Sequence, residues 1–219
     1  SDVLTMLDDD PIEHFIILTY EFDEQQLLNL AVLRALEEGK DLGKSGLKLL
    51  SGIRPVVFFD ARKTKPFGRL PQFLELHPCK AAAFSCHHSK AYCIITRKTV
   101  RLAVGSFNLT FSGLFRNREV FESWCWTSDE SADPNVLLEW IEFLKQHYLN
   151  EARESSASAL GAALATLNKR TSGWERPSDR GSCLLASGYG GQKGIDALAY
   201  CWHEWYPDRR PERLLAVSP

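Results

Sequence analysis

The sequence predicts an α/β protein, a mixed sheet flanked by helices, with a first half complete and a second half only begun. Three observations lead there. Apolar, β-branched runs of strand length alternate with segments of helical period through residues 1–150, an amphipathic helix closes that stretch, and the opening strand–helix–strand order recurs from residue 183. The chain accordingly divides into a first half over residues 1–150, a helix and linker over 151–182, and the start of a second, incomplete half over 183–219.

Taken in order, residues 15–22 (FIILTYEF) read as the first strand. Asp23 is placed to cap a helix, with Gln26 three positions on, and Leu27, Leu28, Ala31, Leu33 and Leu36 carry that helix to Gly39. A glycine- and lysine-punctuated stretch then leads to a strand over residues 53–60. Residues 62–78 hold three prolines and read as a connection. Strands follow at 90–96, 100–106 and 119–127, with Gly113 suiting the turn before the last. Pro134 opens a helix through Leu149 whose Val136, Leu137, Trp140, Ile141, Leu144 and Tyr148 share one face, which reads as core rather than membrane. Alanine and serine permit a further helix through Leu167, and residues 171–178 read as linker. Beyond it, residues 183–187, 195–205 and 213–217 echo the first strand, helix and second strand, with a glycine-rich loop at 187–191.

The chemistry concentrates in Phe84-Ser85-Cys86-His87-His88-Ser89-Lys90, then Gly105-Ser106-Phe107-Asn108, then Asn117-Arg118-Glu119. On an extended backbone, side chains alternate, so His88 and Lys90 project from one face while Ser89 points away. Histidine is a nucleophile near neutral pH, and a phosphohistidine splits one hard displacement into two easier ones. Lysine supplies positive charge, and Ser106 and Asn108 supply neutral donors, for the oxygens of a phosphate. A carboxylate at Glu119 is placed to take the other ring N–H of His88 and so fix its tautomer. His87 reads as a strand-end residue.

His88-x-Lys90 with Gly105-Ser106-x-Asn108 and Asn117-x-Glu119 resembles the H-x-K signature of the phospholipase D superfamily. The doubled His87-His88, the small hydroxyl residue Ser89 and the strand leading to Ser106-Phe107-Asn108-Leu109 are most similar to its tyrosyl-DNA phosphodiesterase branch. Ile95 stands where the wider superfamily has aspartate, which that branch also lacks, whereas a carboxylate at Glu119 is commoner in the bacterial nuclease-like members. The resemblance covers residues 84–122 and implies a metal-independent phosphodiesterase that needs no cofactor and removes adducts from DNA 3′ ends. It implies His88, Lys90, Asn108 and Glu119 as catalytic residues, with Lys90, Ser106 and Asn108 binding the phosphate. Two other readings stand beside it: a phospholipase D-like lipid hydrolase, for which no membrane-facing apolar loop is found, and a non-catalytic nucleic-acid-binding or scaffold domain.

An in-line displacement also needs a proton donor at the leaving oxygen. The chain offers no second H-x-K, since His77, His147 and His203 lack the flanking pattern. The second half-site is therefore expected from the remainder of a longer chain or from a two-fold related subunit.

A formal charge of −2 argues against a uniformly basic nucleic-acid coat, so attraction of phosphate must be local. Candidates are Arg62, Lys63, Lys65 and Arg69, and a hairpin group of Arg97, Lys98 and Arg101 that reads rather as solvated charge. A hydrophobic content of 44% suits a packed core. The six cysteines, Cys79, Cys86, Cys93, Cys125, Cys183 and Cys201, form no C-x-x-C pair, which argues against zinc. Without a signal peptide or a membrane-length apolar run, the chain reads as intracellular, nuclear or cytoplasmic.

Overall fold

The computed structural model describes residues 10–23, 25, 26, 29, 53, 55–63, 74–80, 86–127, 133–149, 158–176 and 194–208. Six strands form one mixed sheet: β1 (Ile12–Thr19), β2 (Val56–Asp60), β3 (Glu75–Cys79), β4 (Ala91–Thr96), β5 (Val100–Gly105) and β6 (Phe121–Trp126). Their order across the sheet is β3-β2-β1-β4-β5-β6. The first three are mutually parallel, and β4, β5 and β6 continue from β1 as antiparallel neighbours. Three helices are α1 (Pro134–His147), α2 (Ala159–Arg170) and α3 (Gly194–Trp205).

β3 corrects the reading of residues 62–78 as connection alone. Proline cannot donate to a ladder and is tolerated on an edge strand, and β3 is the edge, with Pro78 opposite Phe59 and paired on one side only. The prolines hid a strand that is short and half-exposed.

Both faces of the sheet are covered, which is why β1, β2 and β4 read as continuous apolar runs rather than alternating ones. Ile16, Leu18, Phe58, Cys93, Ile95 and Leu102 pack with Val136, Leu137, Trp140, Ile141 and Leu144 of α1 and with Leu160, Leu164 and Leu167 of α2. On the other face Phe15, Ile17, Phe59, Tyr92, Ile94 and Ala103 pack with Phe22, Phe107, Leu109 and Leu114. A one-residue slip would exchange the two sets, so burial on both faces fixes the register. Burial also leaves the Cys93 thiol inert, pushed up to about 12.

Capping sets the helix starts. Asp133 accepts from Asn135 N at 2.9 Å with Pro134 in the first turn, and Ser158 Oγ accepts from Gly161 N at 2.8 Å. Asp23 likewise accepts from Gln25 N at 3.0 Å and from the Gln26 side chain at 3.3 Å. The rest of that first helix, the strands predicted at 183–187 and 213–217 and the loop at 187–191 lie outside the described residues. α2 packs on β1 and α1, and its first amide, Ala159 N, donates to Glu75 of β3 at 2.6 Å. Among the described residues no helix is long and apolar enough to cross a membrane.

Candidate active site

The ends of four strands meet at one rim of the sheet. β1 and β2 finish there at Thr19 and Asp60, antiparallel β4 begins there at Ala91, and β5 returns to it with Val104 opposite Ala91. The carboxyl ends of parallel strands are where α/β sheets place ligands. The segment His87-His88-Ser89-Lys90 enters β4 at this rim and is already paired, since Gly105 N donates to Lys90 O at 3.1 Å.

Strand alternation separates the two histidines. His87 shares the parity of Ala91 and Cys93 and lies on the side of α1, where it is buried. Its Nε2 meets Tyr148 Oη at 2.8 Å, its Nδ1 meets Thr19 O at 3.2 Å, and its backbone N donates to Asp60 Oδ2 at 2.8 Å. Both ring nitrogens are thus engaged, and burial holds the imidazole below its ordinary pKa. Asp60 accepts in addition from Arg62 N, Nε and Nη2 at 2.8 to 2.9 Å, and these bonds hold its carboxyl well below the usual carboxylate range. This latch was not read from the sequence, because nothing in Phe-Phe-Asp-Ala-Arg indicates that residue 60 meets residue 87.

His88 and Lys90 share the opposite parity, that of Tyr92 and Ile94. Lys90 Nζ lies 3.1 Å from both ring nitrogens of His88 and donates to His88 O at 3.0 Å. Equal distances to both nitrogens place the ammonium over the ring rather than along either in-plane lone pair. The lone pair of the unprotonated nitrogen therefore stays available. Tyr20 flanks the pair, its ring centroid 5.1 Å from that of His88 and 5.8 Å from Lys90 Nζ, with Lys63 Nζ at 5.0 Å. Desolvation first, and the Lys90 charge second, keep His88 below its ordinary pKa, so it is neutral at neutral pH.

Lys90 is only 6% exposed, and among the described residues no carboxylate forms an ion pair with it. Burial lowers its pKa, while Cys86 and Glu119 act in the other direction. A buried cation without a bonded counter-ion is costly unless an anion arrives to match it.

Asn108 follows β5. Its Oδ1 accepts from Tyr20 N at 3.2 Å and Glu21 N at 3.3 Å, fixing the carboxamide and leaving Nδ2 without a protein acceptor among the described residues. Leu109 N donates to Thr19 Oγ1 at 3.0 Å, and Asp23 N donates to Leu109 O at 2.9 Å. The loop after β5 is thereby stitched to the loop after β1.

Ser106 Oγ donates to Glu119 Oε2 and accepts from Val120 N at 3.0 Å. One expected contact is corrected. Glu119 does not bond His88, because its carboxylate is shared between Ser106 and Asn117 Nδ2, the latter at 3.1 Å. The physical reason is the ladder: Ser106 N pairs with Val120 O at 2.9 Å, which draws Glu119 alongside Ser106. The hairpin charges Arg97 and Lys98 lie beyond the far end of β4, about 17 Å along it from Ala91. Lys65 and Arg69 lie outside the described residues. Among the described residues no group of three or more histidine, cysteine, aspartate or glutamate side chains is gathered as metal ligands would be.

No protein-family model and no curated protein matches the chain. Among solved structures, it is similar to yeast tyrosyl-DNA phosphodiesterase at 10% identity and a TM-score of 0.48, covering 76% of this chain and 37% of that one. A histidine-to-alanine variant of the yeast enzyme gives 11% identity and a TM-score of 0.47 over 73% and 36% of the two chains. A histidine-to-asparagine variant gives 12% and 0.45 over 75% and 36%. The chain thus spans little more than a third of the length of these structures.

Proposed function

We propose that this chain carries one half-site of a phosphodiesterase, with His88 as nucleophile and Lys90 and Asn108 Nδ2 as the cradle for the phosphate. One observation supports the reading: a buried lysine, with no carboxylate bonded to it among the described residues, is set against a histidine of lowered pKa at the carboxyl rim of the sheet. In the step this supports, the lone pair of the His88 nitrogen forms a bond to phosphorus and the bond to the leaving oxygen breaks. The imidazole gains positive charge as the phosphodiester brings negative charge, and Lys90 stabilises the equatorial oxygens. Water then cleaves the nitrogen–phosphorus bond. The proton for the leaving oxygen comes from a group outside the described residues, in a longer chain or a partner subunit.

The substrate in this reading is nucleic acid, on the resemblance of His87-His88-Ser89-Lys90 and Ser106-Phe107-Asn108-Leu109 to the tyrosyl-DNA phosphodiesterase branch, with a 3′-end adduct on DNA as the specific case. The engagement of Glu119 with Ser106 rather than His88 favours a second reading, phosphate binding without turnover. Incubating the chain with a 3′-phosphotyrosyl oligonucleotide and, separately, with phosphatidylcholine vesicles decides among them. Release of tyrosine that is lost in His88→Ala supports the proposal. Choline release would assign a lipid substrate, and tight oligonucleotide binding with no covalent adduct on His88, even from a p-nitrophenyl ester that needs no proton at its leaving oxygen, would leave only a binding domain.

A further inference from the structure

Just past Asn108 the chain makes a single turn of π-helix, Ser112–Arg116, closed by Asn117 N donating to Ser112 O at 2.8 Å. Such turns occur frequently at functional sites. Its wide turn sends Leu114 into the core at 5% exposure and leaves Phe111 and Phe115 on the outside at 46% and 40%. The two rings lie together, centroids 5.5 Å apart and tilted by 41°, and the Arg116 guanidinium sits 5.0 Å from the Phe111 ring. Phe111 and Phe115 are two of the five large hydrophobic side chains exposed among the described residues, and their mutual contact makes the exposure a patch.

This turn is joined to the phosphate cradle. A Cβ on Gly113 would stand 2.4 Å from Asn108 O and 2.8 Å from Asn108 N, so the missing side chain is what lets the turn sit against the backbone of Asn108. Neither Arg116 nor Arg118 forms an ion pair among the described residues. The patch therefore offers aromatic faces beside the Arg116 guanidinium, next to the proposed site for phosphate.

We infer that Phe111, Phe115 and Arg116 form a stacking platform for unpaired bases of a single-stranded nucleic-acid end whose terminal phosphate lies on Lys90 and Asn108. The inference rests on the phosphodiesterase reading and adds a base-binding surface to it. Every base has a π-face, so the platform is sequence-tolerant, and the arginines follow the backbone phosphates between stacked bases. A lipid surface is disfavoured by the two-ring size of the patch.

The test is fluorescence anisotropy of the 219-residue chain with a labelled single-stranded oligonucleotide ending in 3′-phosphotyrosine, and with one whose 3′-terminal nucleotides are abasic. Phe111→Ala/Phe115→Ala weakens binding of the base-bearing strand about tenfold and changes abasic binding less than about twofold, while Phe111→Trp/Phe115→Trp retains affinity. Equal binding of wild type and double-alanine variant overturns the platform, as does an equal loss on both strands. Vesicle binding that disappears in the double-alanine variant while oligonucleotide binding stays intact also overturns it, in favour of a membrane. Lys90→Met keeps the two claims apart. If it abolishes oligonucleotide binding while the phenylalanine variants do not, only the platform fails; if wild type binds neither strand, both fail.

Discussion

If Lys90 holds a phosphate as proposed, it gives up stability for function. Its ammonium is desolvated without a bonded carboxylate among the described residues, so replacing it by methionine, similar in length and apolar, stabilises the chain by about 0.5–2 kcal/mol while removing anion binding. Thermal melts read both effects. Inorganic phosphate at ten times its Kd raises wild-type stability by about 1.4 kcal/mol and leaves Lys90→Met unmoved. A lower melting temperature for Lys90→Met, with the phosphate response intact, contradicts the assignment. The same variant removes one of the two influences depressing His88, so the His88 resonance titrates at higher pH by NMR. The lowered pKa of His87 makes stability depend on pH. Its folded pKa lies below the ordinary 6.5, so below about pH 6.5 the unfolded chain takes up a proton that the native chain refuses, and stability falls as pH falls. Denaturant melts from pH 7.5 to 5.5 show the decline, reduced in His87→Gln. Alternation made His88 and Lys90 legible as a pair, whereas the burial of His87 against Tyr148 and Asp60 was not legible, because those partners are distant in sequence. The partners of Glu119 were not legible, because they depend on which residue of β6 stands beside Ser106 across the ladder.

At the scale of elements, the apolar runs and capping residues made most of the sheet and α1 readable, whereas β3 was concealed by Pro78 at an edge that only the assembled sheet defines. The turn at Gly113 was foreseen as a turn, but its π form and its seat against Asn108 depend on tertiary packing. Gly113→Ala forces a methyl into the Asn108 backbone and costs about 1–3 kcal/mol, with a larger proportional loss of phosphate affinity than of stability. Trp140, 1% exposed at the centre of the α1 contact, is a purely structural counterpart. Trp140→Ala costs about 3–5 kcal/mol in urea melts and leaves the anion affinity of the folded fraction unchanged.

On the proposed assignment, the molecule as a whole holds one nucleophile and one phosphate cradle at a single rim of a sheet buried on both faces. No second H-x-K accompanies them in the sequence, so a substrate that needs no protonation of its leaving group isolates what this half-site does alone. A nucleotide 3′-(p-nitrophenyl) phosphodiester is such a substrate, since nitrophenolate departs as an anion. Stopped-flow absorbance with mass spectrometry of the quenched protein tests the central claim directly. The account predicts a burst approaching one nitrophenolate per chain, slow turnover afterwards, and a nucleotidyl phosphoramidate on His88 that is absent from His88→Ala and unaffected by EDTA. Nitrophenolate release that persists in His88→Ala, or an adduct on any other residue, would contradict it.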